Sequence, residues 1–294
     1  MHNEGLSVAS VLAGSAFGDG FGANPEGLRL PPATDAVESW WRAVALGGAG
    51  YYARARTELA RTRRLALSGS TVPLATPAVL APESVLSLSL STEASWLRQL
   101  GWHRRASGFD GAALARVPRD PDAAGRSDAL CDALIGLAAD ALGQGRLAVG
   151  ERLLDRCREV LADPNEQVPS PRIGIRLAWV SAELAMAGGH AERAQPAADV
   201  AVVLSAGAES VRHRVKSGLL SAAARCARGD VDAARVAADT VREQCRRHGL
   251  LPLEWAAGML LAAVVDEAEA VCVSVDVGAC AAELARRGGS LREV

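Results

Sequence analysis

Residues 171–250 constrain the fold more than any other stretch, because they write one helix-turn-helix pattern twice. An apolar run over 173–187 stops at Gly188-Gly189, and a second helix from Ala191 to about Leu204 follows at once. Residues 215–227 then break at Arg228-Gly229-Asp230, and a helix over 231–247 is closed by His248-Gly249. Glycine just past the last periodic residue is a helix stop signal. A single pair of such helices cannot bury its apolar stripe alone, so the pattern predicts pairs stacked on one another.

The rest of the chain can be laid against this unit. Thr34 or Asp35 caps a predicted helix over 37–46, which breaks at Gly47-Gly48-Ala49-Gly50 and resumes over 51–65. Residues 68–82 read as an inserted loop. The alternation over 85–91 looks locally like a strand, but nothing else in the chain offers it a partner, so it is taken as the front of a helix continuing to 106. Ser107-Gly108-Phe109-Asp110-Gly111 breaks that helix, and a short helix to Arg116 precedes a linker over 118–126. Helices over 128–142 and 146–162 flank Gly143-Gln144-Gly145, and a last, looser pair is predicted over 253–270 and 277–287. Residues 1–34 carry six glycines and three prolines with no sustained periodicity, which predicts a disordered or loosely docked segment.

Aligning Gly50, Gly108, Gly145, Gly189 and Gly229 gives separations of 58, 37, 44 and 40 residues. Seven residues before them stand Ala43, Gly101, Ala138, Ala182 and Ala222; five after stand Ala55, Ala113, Gly150, Ala194 and Ala234. All ten are small, which is what two antiparallel helices need where they cross closely. With Gly50, Tyr52, Ala55 and Leu59 in one unit and Trp96, Leu100 and Gly101 in the next, residues 35–290 resemble the tetratricopeptide-repeat (TPR-like) superfamily. The units are longer than the 34 residues usual there, and its closing proline appears only as Pro118 and Pro164. The resemblance implies an all-α, right-handed solenoid of antiparallel hairpins whose first helices line a concave groove for peptides or partner proteins.

Groove-facing positions then fall ten, six and three residues before each glycine. They give Trp40, Val44 and Gly47; Arg98, Trp102 and Arg105; Ile135, Ala139 and Leu142; Trp179, Glu183 and Met186; Leu219, Ala223 and Cys226. Trp40, Trp102 and Trp179 are large rigid anchors, and Arg98 with Arg105, two turns apart on one predicted helix, would clamp a carboxylate or phosphate. Trp40, Val44, Arg98, Trp102, Arg105, Trp179, Glu183 and Met186 are therefore the candidate partner-binding residues.

Composition narrows the class. Apolar residues make up 49%, charged residues 22% and aromatics only 4%, as expected of closely packed helices rather than a β core. A net charge of −2 gives no bulk attraction to nucleic acid or an anionic membrane, so no direct nucleic-acid partner is expected. Arg54, Arg56, Arg61, Arg63 and Arg64 form a basic stripe that reads as an exposed surface. Lys216 is the single lysine among 32 basic residues, a usage that suggests a GC-rich bacterial genome. Residues 255–265, the longest apolar run, fall short of the ~20 needed to span a bilayer, and residues 1–13 make a poor signal peptide.

The six cysteines lack metal spacing and read as reduced thiols in a cytoplasmic protein. No nucleophile or carboxylate stands at catalytic spacing from His103, His190, His213 or His248, and Gly18-Asp19-Gly20-Phe21-Gly22 lacks the context of a phosphate loop. The expectation is a non-enzymatic adaptor or scaffold with no cofactor and no metal, binding a protein or peptide and able to form a homodimer. The alternative is a regulatory helical module of a transcription-related complex that senses a small apolar ligand or dimerises.

Overall fold

Four of the five predicted turn glycines end one helix just before its partner starts, and Gly101 does so in place of Gly108, all five with the same geometry. Gly50, Gly101, Gly145, Gly189 and Gly229 all adopt positive φ, between 72° and 84°. Behind each, the next residue's N–H bonds the carbonyl five residues back, at 2.8–3.0 Å. This is the capping pattern that left-handed glycine makes possible at a helix C-terminus.

The computed structural model describes residues 7–20, 29–68 and 80–292, and these form thirteen α-helices and no strand. α1 is Val8–Phe17. Five pairs follow: α2 Ala36–Gly48 with α3 Tyr52–Leu67, α4 Pro82–Gln99 with α5 His103–Leu114, α6 Arg126–Leu142 with α7 Leu147–Ala162, α8 Pro171–Ala187 with α9 Ala191–Ala206, and α10 Val211–Ala227 with α11 Val231–His248. α12 Leu251–Ala262 and α13 Glu267–Arg286 complete the chain. Each helix packs on its pair mate, and the first helices α2, α4, α6, α8, α10 and α12 also pack on one another in succession.

The second unit corrects the predicted register. Its turn is at Gly101, φ 84°, whereas Gly108 lies inside α5. α4 reaches the crossing about two turns sooner than expected, and Ala106 and Ala113 then pack the continuous α5 against its neighbours, so the Gly108 and Gly111 sites need no break. With Gly101 substituted, the residues seven before the glycines are Ala43, Ala94, Ala138, Ala182 and Ala222, and every one is fully buried. Five after stand Ala55, Ala106, Gly150, Ala194 and Ala234, all buried as well. Alanine recurs here because a longer side chain would push the paired backbones apart.

The alternating residues 85–91 are helical, as expected, within α4. Both polar and apolar members are buried because α4 lies between α3, α5 and α6. Two of its buried serines bond backbone: Ser87 donates to the Ala113 carbonyl and Ser89 to that of Leu86, both at 2.8 Å. The last pair breaks earlier than predicted, at 263–266 rather than 271–276. Asp266 explains this, since its side chain accepts the N–H of Glu269 at 2.9 Å and starts α13 there. Of the predicted loop over 68–82, residues 69–79 lie outside the described residues.

Two further differences matter for function. The segment expected to be disordered or loosely docked contains α1, N-capped by the Ser7 side chain, with Leu12 and Ala16 buried. The end of the chain also returns to its beginning. The Ala53 N–H bonds the Arg287 carbonyl at 2.9 Å, the Arg292 N–H bonds that of Leu100 at 2.8 Å, and the Arg287 guanidinium donates to the Ala49 carbonyl at 2.8 Å. Leu284 joins Tyr52, Leu59 and Trp96 in one core cluster. The α3 stripe is partly consumed by this architecture: Arg56 caps the Gly288 carbonyl, Arg61 that of Ala33, and Arg63 pairs with Glu93. Of the six free cysteines, four are buried, Cys226 is half-buried and Cys272 is exposed.

Candidate functional site

Five of the predicted anchors stand on first helices around one interior face, with Met186 partly buried beside Ala182 and Trp179. Trp40 and Val44 of α2 are buried, and the Trp40 indole N–H donates to Thr92 Oγ1 at 2.9 Å. The Trp179 indole N–H donates to Ser217 Oγ at 2.8 Å, and its ring stacks on His213 with centroids 5.3 Å apart. Lys216 Nζ lies 4.5 Å from the Trp179 ring centroid and 3.8 Å from Glu183.

Trp102 and Arg105 are corrected. Both lie beyond the Gly101 turn, so they belong to the start of α5 and not to the face of α4. The Trp102 indole N–H donates to the Ser290 carbonyl at 2.9 Å, tying the second unit to the chain's end. Arg105 is exposed with its guanidinium 5.7 Å from the Trp102 ring. The two-turn Arg98/Arg105 clamp therefore does not form. Arg98 is instead held by Asp110 and by Asp140, the latter at 3.2 Å. Asp110 sits nine residues after Gly101, where the other units carry buried Leu or Ala, so this ion pair replaces an apolar layer of the core. Burial raises the pKa of both carboxyls against the pull of Arg98, and Asp140 reaches about 7 with the help of its acidic neighbour.

The same face continues beyond the predicted positions. Thirteen and seventeen residues before Gly145, Gly189 and Gly229 stand Asp132 and Asp128, Arg176 and Arg172, and Lys216 and Arg212. These i,i+4 pairs form a charged ladder across α6, α8 and α10. Arg172 pairs with Asp132 at 2.6 Å and Asp128 at 3.1 Å, and Arg176 Nε approaches Asp132 at 3.0 Å off the N–H axis, as an ion pair without a hydrogen bond. The third rung differs. Arg212 donates to two backbone carbonyls, Ala16 at 3.2 Å and Val44 at 3.4 Å, rather than to a carboxylate. Burial, with Arg176 and Arg172 nearby, lowers its pKa to about 10.

Into this face fits α1. Phe17 lies 5.4 Å from the Trp40 ring and 6.5 Å from His213, with the Arg172 guanidinium 5.4 Å over it. α1 thus touches α2, α8 and α10, three helices that are distant in sequence. Arg212 binds the last turn of α1, where unpaired carbonyls and the helix dipole favour a cation. His213 is kept neutral by burial and by Arg212, Arg172, Arg176 and Lys216 around it. A signal for α1 was present in the sequence: Ser7 as a cap, then Val8, Leu12 and Ala16 on one stripe.

The arrangement is suited to holding an uncharged helix of small residues that ends in an aromatic ring. Among the described residues, no group of three or more His, Cys, Asp or Glu is placed to hold a metal ion, and no helix is long and apolar enough to cross a membrane. No protein-family model, no curated protein and no solved structure matches this chain.

Proposed function

We propose that the chain is a non-enzymatic, TPR-like adaptor whose first-helix face binds a short helical segment of a partner protein. The observation that carries this reading is the seating of α1 on that face, with Phe17 between Trp40 and His213 and the Ala16 carbonyl on Arg212. A surface that takes one short helix through a ring pocket and a carbonyl-capping arginine has the parts for helix-in-groove recognition. The regular packing of first helix on first helix supports a solenoid built from repeated hairpins.

The test uses the full-length chain carrying Phe17→Ala, to empty the ring pocket, and a fluorescein-labelled peptide with the sequence of residues 7–20. Saturable binding by anisotropy is expected, weakened at least tenfold by adding Arg212→Gln, with circular dichroism showing equal helicity. Binding that never saturates, or that ignores Arg212→Gln, refutes the reading.

A further inference from the structure

We infer that α1 is a displaceable ligand carried in cis, and that the partner segment competing for its seat shares its chemistry: a short uncharged helix of small residues closing on an aromatic ring. The inference rests on the peptide-binding reading and adds a switch to it.

Three observations support displacement. α1 is ten residues long, below the ~12–15 at which isolated helices become even marginally stable, so its helicity depends on the seat. Its hold is narrow: Leu12, Ser15 and Ala16 are its buried residues, and Val8 is exposed at the far end. Gly14 sits in mid-helix, where glycine weakens helix formation, yet an added Cβ would meet nothing within 4 Å. Space therefore does not explain the glycine, and its effect is to keep α1 weak.

The chemistry of the competing segment follows from the seat. Asp128 and Asp132 already pair with Arg172 and Arg176, so acidic side chains along the incoming helix have no free partner at these two arginines. Arg212 faces the carbonyl end of the bound helix and needs an acceptor, which any helix C-terminus supplies. The Trp40, His213 and Arg172 cluster selects an aromatic ring at the last position.

Because α1 is tethered to its seat, it acts as a competitor at high effective concentration. Two single substitutions move that competition in opposite directions without touching the seat. Gly14→Ala strengthens α1 by about 1 kcal/mol of helix propensity, which is about fivefold in occupancy. Phe17→Ala weakens it.

The experiment titrates the labelled peptide of residues 7–20 into three full-length chains: wild type, Gly14→Ala and Phe17→Ala. Affinity should fall in the order Phe17→Ala, wild type, Gly14→Ala, with at least tenfold between the first two and about fivefold between the last two. Equal affinity in all three overturns cis competition while leaving the peptide site standing. Absence of binding even to a well-folded Phe17→Ala chain overturns the peptide site itself. Tighter binding to Gly14→Ala than to wild type also overturns the switch, since it reverses the sign that competition requires.

Discussion

Gly136 lies in the middle of α6, and helix propensity alone says that Gly136→Ala should stabilise the protein by about 1 kcal/mol. The structure says the opposite. A Cβ at this position would stand 2.6 Å from Asp110 Oδ1 and closer still to Cγ and Oδ2, so the carboxylate would have to leave its seat beside Arg98. Breaking a buried pair by removing one partner costs about 3–5 kcal/mol, and Arg98 keeps Asp140 and the Gly136 carbonyl as partial compensation. Setting this against the propensity gain leaves a net loss of about 2–4 kcal/mol. Urea unfolding of wild type, Gly136→Ala, Asp110→Ala and the double variant closes a thermodynamic cycle. With Ala at 110 the obstruction is gone, so Gly136→Ala should become neutral or stabilising in that background. If Gly136→Ala stabilises the otherwise unaltered protein, Asp110 is not seated against α6 and the account of the second unit fails.

Other expectations concern packing and protons. Ala182→Leu adds three carbons at the fully buried α8/α9 crossing and should cost about 1–3 kcal/mol, read as a melting decrease of roughly 2–4 °C per kcal/mol. The exposed control Ala187→Leu should stay within about 0.5 kcal/mol of wild type, and equal melting of the two would refute the register. Two buried groups pull stability in opposite directions as pH falls from 6.5 to 5. His213, with its folded pKa depressed, resists the proton that the unfolded chain accepts, so it lowers stability; Asp140, with a folded pKa of about 7, takes a proton that the unfolded chain refuses, so it raises stability. Urea midpoints of Asp140→Asn should therefore fall over this interval and those of His213→Gln should rise; parallel titrations would contradict the assignment.

The hairpins were legible in the sequence because their signals are local. Glycine stops, alanines at fixed offsets and caps such as Asp35, which accepts the N–H groups of Val37 and Glu38 at 2.8 and 2.9 Å, act within one or two helices. The second unit misled because it holds three candidate glycines, and choosing Gly101 over Gly108 depends on tertiary fit: only that choice puts Ala94 and Ala106 at the crossing. Placing Trp102 and Arg105 on the wrong helix followed from that single error. Trp40 and Trp179 were found because large aromatics are rare here, while Arg172 and Arg212 were missed among many arginines that sequence cannot sort into inner and outer. α1 was missed because Gly14 and Gly18 dilute its pattern, and its helix is completed by side chains about 160 to 200 residues away.

The return of residues 284–292 onto the first two units changes how the molecule should respond to force and heat. An open stack of hairpins loses its outermost member first and peels unit by unit. Here the outermost members hold each other through Ala53 and Arg287, Leu100 and Arg292, and Trp102 and Ser290. Pulling on the two ends must shear this latch before any hairpin can unzip. The molecule should then yield in one large extension event, and melt in one transition, where an open array of equal length would unravel in steps.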